Sequence, residues 1–200
     1  MMDRCYGIRK VLFAGSLLVS INIAFQVYAA ALLMHVEPRL HLCLAASLCT
    51  WAIYAIDRSS NSPEDKINSP ERAALRSWPI KKMAVSSYLA ALPLAWNPVI
   101  LVPGIAALAY LKLKPILLIK NLVIGFAWAV SVVGLNGWSC LCLHVPVSVI
   151  NSVLCDIRDI EGDRQYAPCP SYLAVRIRDW DYLLFPLLCG IYFLFVFYRW

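Results

Sequence analysis

Asp156, Asp159 and Asp163 follow an apolar stretch in the order Asp-x-x-Asp-x-x-x-Asp. At about 100° per helical residue, Asp159 falls about 60° from Asp156 and Asp163 about 20° from it. If the helix continues past the apolar stretch, three carboxylates leave one face. Like charges that close repel unless a cation neutralises them. Oxygen-only ligands suit Mg2+, which binds one or two carboxylates together with substrate phosphate and retained water. A solvated acidic helix end is the plain alternative. A second group, Asp57, Asn61 and Asp65, recurs at every fourth residue and covers an arc of about 80° on an unbroken helix. However, Ser62-Pro63-Glu64-Asp65 reads as a helix start, with Ser62 as N-cap and Pro63 at the first position. Ser69-Pro70-Glu71 repeats that signal. On this reading Asp57 ends one helix and Asp65 sits in the first turn of another.

The elements that must hold these groups are apolar. Of the 200 residues, 61% are hydrophobic and 15% charged, against roughly 45–50% and about 25% in soluble domains. A small soluble protein needs more polar residues to cover its surface. Disorder and a small secreted disulfide scaffold are excluded by the same balance. The expectation is an all-α, polytopic transmembrane bundle in a single domain, residues 1–200. Stretches of about 17–25 apolar residues can cross a bilayer, and 11–34, 40–56, 116–134, 138–155 and 182–198 are candidates. The apolar run between Lys82 and Lys112 is one long helix or two short ones. Asn97-Pro98 favours two, 83–96 and 98–111, because the residue before proline resists helical backbone.

Charge supports the same division. Cytoplasmic flanks carry the excess Lys and Arg. With seven spans, every Lys and Arg except Arg39 and Arg199 falls on the side of the N-terminus. With six, the basic residues divide almost evenly. The net charge of +6 is therefore assigned to membrane flanks, and nucleic acid is not an expected partner. The first apolar run, about 24 residues, exceeds the roughly 7–15 of a signal peptide core, so it is expected to be retained. No acid falls inside a span, and seven spans put both acidic loops, 57–82 and 156–181, on the cytoplasmic side with the N-terminus.

With these residues in place, a resemblance emerges. Tyr54-Ala-Ile-Asp-Arg-Ser-Ser-Asn-Ser-Pro-Glu-Asp65, the following Asn-Ser-Pro-Glu-Arg72, and Asp156-Ile-Arg-Asp-Ile-Glu-Gly-Asp-Arg164 resemble the two aspartate-rich signatures of the UbiA superfamily of intramembrane prenyltransferases. The segment from Leu111 through Lys112, Lys114, Pro115, Lys120 and Asn121 to Phe126-Ala-Trp128 resembles that family's entry into its fifth helix. The resemblance covers residues 54 to 164, and the second signature is its specific part. Two departures stand out: Asn61 replaces a middle aspartate, and the chain has about seven spans where the family has nine, as though the last two helices were missing.

The resemblance implies Mg2+-dependent prenyl transfer from a polyprenyl diphosphate to a lipophilic or aromatic acceptor within the membrane. Asp57, Asn61, Asp65, Asp156, Asp159 and Asp163 would hold the metal, and the five aspartates would be catalytic. Asn61, Arg72, Lys114, Lys120 and Arg164 would bind substrate, although the positive-inside bias alone explains most such cations. Tyr54, Tyr110 and Trp128 could shield an allylic cation. Cys140-Leu-Cys142-Leu-His144 suggests zinc, but Cys142 points about 160–200° from the other two on a helix, so buried apolar thiols are expected. The competing functions are a terpene cyclase of the same chemistry, a non-catalytic relative, and a cation transporter. Transport is disfavoured because its sites lie near the bilayer midplane.

Overall fold

The computed structural model describes residues 16–59, 65–68, 79–113, 117–137 and 141–158, with 186, 187 and 190. Six helices form the framework: α1 (Leu17–Leu33), α2 (Leu40–Ser59), α3 (Ile80–Ala95), α4 (Leu101–Leu113), α5 (Leu117–Gly134) and α6 (Leu141–Arg158). A single further helical turn covers Asp65–Asn68. No strand occurs among the described residues, so the fold is all-α. Six of the seven expected apolar segments correspond to these helices. The seventh, 182–198, lies almost entirely outside the described residues.

The apolar run between Lys82 and Lys112 is two helices, for the expected reason. Trp96 takes left-handed backbone (φ 45°) and ends α3. Asn97 is extended, and its side chain accepts a hydrogen bond from the Val99 N–H at 3.0 Å. Pro98 then opens a short 3-10 turn that leads into α4. At the first position of a helical segment its missing N–H costs nothing. The turn folds inward. The Ile100 carbonyl accepts from Tyr88 Oη at 3.2 Å and from Cys49 Sγ at 3.8 Å, and Ile100 itself is buried.

Packing follows from side-chain size. α2 packs along α1 and α3, α5 along α6 and α4; further contacts of α1 with α5 and of α2 with α4 close a ring of four helices. Small residues line the contacts. Ala45, Ala52, Ala84 and Ala91 are fully buried, and the heptad spacing within each pair puts both members on one helix stripe. At Gly125 the two helices meet closely: a methyl group there would stand 2.5–2.6 Å from Val149, including its backbone. Three buried hydroxyls are satisfied within their own helices. Ser20, Thr50 and Ser131 each donate to the carbonyl four residues earlier, at 2.9, 2.7 and 2.6 Å.

The large apolar side chains point the other way. Leu18, Ile21, Phe25, Tyr28 and Leu32 form an exposed stripe along α1, and Phe25 is 69% exposed. Ile105 and Leu108 do the same on α4, and Leu122 and Phe126 on α5. Among the described residues one helix, Leu40–Ser59, is long and apolar enough to cross a membrane; Leu17–Leu33, Pro98–Ala109 and Asn121–Gly134 are shorter apolar helices.

Replacing Gly125 with alanine forces α5 and α6 apart at this close approach. The expected loss is about 1–3 kcal/mol, read as a lower unfolding midpoint in detergent, whereas the exposed Leu108→Ala should change that midpoint little.

Candidate functional site

The acid-bearing helix ends can be placed from the packing upward. Asn136 Nδ2, just beyond α5, donates to the Val27 carbonyl in the second half of α1 at 2.8 Å. The exits of α1 and α5 therefore share one end of the bundle. α2 returns from that end after the short connection 34–39, and α6 returns after the connection that follows α5. The last turn of α2, the first turn of α5 and the last turn of α6 consequently lie at the opposite, common end.

Three sequence-predicted residues are carried there by helix backbone. Asp57 is in the last turn of α2 with an exposed side chain. Lys120 is in the first turn of α5, and Asp156 in the last turn of α6. α6 does run on past its apolar stretch, to Arg158. Asp65 lies in the helical turn Asp65–Asn68; residues 60–64, where the sequence predicts the break between Asp57 and Asp65, lie outside the described residues. Asn61, Arg72, Lys114, Asp159, Asp163 and Arg164 lie outside the described residues. Among the described residues no three His, Cys, Asp or Glu side chains converge on a metal position. In the zinc-like segment His144 is buried on α6, and Cys140 lies outside the described residues. Cys43 and Cys49 are free, buried thiols.

Two features join the acid-bearing helices. The Tyr54 ring on α2 stacks on Trp128 of α5, with centroids 5.9 Å apart and planes inclined by 28°. The guanidinium carbon of Arg58 sits 5.4 Å above the centre of the Tyr54 ring. This three-layer stack spans from α2 to α5 one turn before Asp57. Tyr54 and Trp128 stand out in the sequence as aromatics, but Arg58 reads there only as a flanking charge. The second feature is polar. Asn121 Nδ2 of α5 donates to Ser152 Oγ of α6 at 3.2 Å, and both side chains are buried. Asn121 belongs to the resemblance; Ser152 carries no sequence signal beyond standing one turn before Asp156.

The donor chemistry is consistent with magnesium, since Asp57 and Asp156 are carboxylate residues whose hard oxygens suit that ion. No family model matches the chain, and no curated protein or solved structure matches it either.

The stack yields a coupling test. Tyr54→Leu retains apolar volume but removes both ring contacts, for an expected loss of about 1 kcal/mol or slightly more. Arg58→Ala should cost less than that in the wild type and nothing further in the Tyr54→Leu background. A double-mutant cycle of unfolding midpoints in detergent reads the difference.

Proposed function

We propose that this chain is a multi-pass membrane protein of about seven spans. In this reading it transfers a prenyl group from a polyprenyl diphosphate to a lipophilic or aromatic acceptor, with Mg2+ as cofactor, in the manner of the UbiA superfamily. Its N-terminus and acidic loops face the cytoplasm. The observation that carries the reading is the common end shared by the helix turns of Asp57 and Asp156, on a bundle with alanines and Gly125 at helix contacts and many large apolar side chains exposed. Lipid tails are as apolar as leucine, so helices in a bilayer associate through small residues and close backbone contact and leave large side chains to the lipid. Gly125 against Val149 and the alanine stripes of α2 and α3 have that character.

Asp57, Asp65, Asp156, Asp159 and Asp163, with Asn61, supply the oxygen ligands. When bound, Mg2+ neutralises diphosphate charge and stabilises it as a leaving group. Lys114, Lys120, Arg72 and Arg164 hold phosphate oxygens from the same end. The bond between the allylic carbon and the diphosphate oxygen breaks, and the electron pair departs with the diphosphate. The acceptor then forms the new bond to that carbon and releases its proton. Tyr54 and Trp128, whose rings are already stacked together, offer π faces to positive charge in the donor. The apolar bundle keeps out water that would otherwise trap the cation.

Two experiments test this reading. In membrane vesicles of known orientation, thiols introduced by Lys66→Cys and Arg158→Cys should react with an impermeant maleimide from one side, above the native-thiol background. Glu37→Cys should react only from the other; labelling of Lys66→Cys and Arg158→Cys from opposite sides overturns the topology. With purified protein and labelled prenyl diphosphates, Mg2+-dependent diphosphate release should fall about a hundredfold or more in Asp156→Asn and stop with a chelator. No turnover with any chain length, acceptor present, overturns the activity.

A further inference from the structure

α6 carries Asp156 in its last turn and buries Val147 and Val153 together with His144 and Ser152. Pro146 lies inside the helix and lacks the N–H that would bond back to Cys142, so the half bearing the acid is oriented by contacts after the proline. Two are visible. Val149 against Gly125 fixes how close α5 and α6 approach. A backbone-to-hydrogen contact of that kind sets a distance but leaves rotation weakly specified. The Asn121–Ser152 hydrogen bond supplies a directional constraint, at 3.2 Å with the two side chains 1% and 9% exposed. Asp156 is one turn beyond Ser152, about 40° round the same helix. A rotation of α6 that broke this bond would swing Asp156 by the same angle.

We propose that Asn121 and Ser152 are positioning residues that set the rotation of α6 and thereby the place round the helix from which Asp156 would hold a metal. The inference rests on the magnesium-site reading above and adds a role for two residues that touch neither metal nor substrate. In an apolar setting the bond has few polar competitors, and its loss leaves a buried amide or hydroxyl to find another partner. Residues that orient metal ligands typically change affinity by about 10–100-fold when removed.

The test uses the full chain purified in detergent, with Mn2+ in place of Mg2+ and free Mn2+ read by electron paramagnetic resonance. Ser152→Ala should weaken Mn2+ binding about tenfold, and Ser152→Thr, which keeps the hydroxyl, should restore most of it. Asn121→Ala breaks the same bond from the other helix and carries the test if Ser152→Ala does not fold. Ser131→Ala is the control for a merely structural effect, because it removes another buried hydroxyl of the bundle; it should leave Mn2+ affinity unchanged. If Ser152→Ala and Asn121→Ala lower the unfolding midpoint but bind Mn2+ as the wild type does, the positioning role is overturned and the metal-site reading stands. If the wild type binds no Mn2+, both are overturned.

Discussion

Close approach between helix backbones is the constraint on which the arrangement depends. Ala45 and Ala52 of α2, Ala84 and Ala91 of α3, and Gly125 of α5 leave too little side chain at these contacts to hold helices apart. Little apolar area per residue is buried between such helices. Cohesion therefore comes from dispersion at short range, with a few hydrogen bonds adding direction. This explains why the buried polar groups are economical. Ser20, Thr50 and Ser131 return to their own helices, while Asn121 and Asn136 reach across to another element.

That economy shapes the end of the bundle where the acids sit. Helices whose contacts are small-to-small can be placed accurately without bulky side chains filling the interior. The larger aromatic groups are then available for a specific contact, as in the Tyr54–Trp128 stack. Asp57 follows this stack by one turn, and Asp156 follows the Asn121–Ser152 bond by one turn. Each acid stands just past a cross-helix contact, on the side away from the bundle's middle. Of the two, Asp57 has an exposed side chain.

Much of the helical framework was legible from local rules. Asn97-Pro98 marked the break between α3 and α4 because a pre-proline residue resists helix, and Asn97 is extended at that point. The helical turn Asp65–Asn68 follows the Ser62-Pro63 signal, and α6 runs to Arg158; Ser62, Pro63, Asp159 and Asp163 themselves lie outside the described residues. The cross-helix features were not legible, because they depend on which helices are neighbours. Nothing local in Ser152 points to Asn121, 31 residues away. Arg58 over Tyr54 follows an i, i+4 spacing, but its service to a stack with Trp128 needs α5 alongside. The metal-ligand set was read from spacing and the resemblance, and its members Asn61, Asp159 and Asp163 lie outside the described residues.

The inward fold of the connection at Pro98–Ile100 has a consequence for reach. Ile100 is anchored to Cys49, halfway along α2, so α4 sets out from the interior and not from the bundle's far end. Thirteen residues rise only about 20 Å, which would strand a helix that began at the rim. Starting from halfway, the same short rod carries the backbone of Lys112 to the level of the acidic turns. A tucked corner thus substitutes for length.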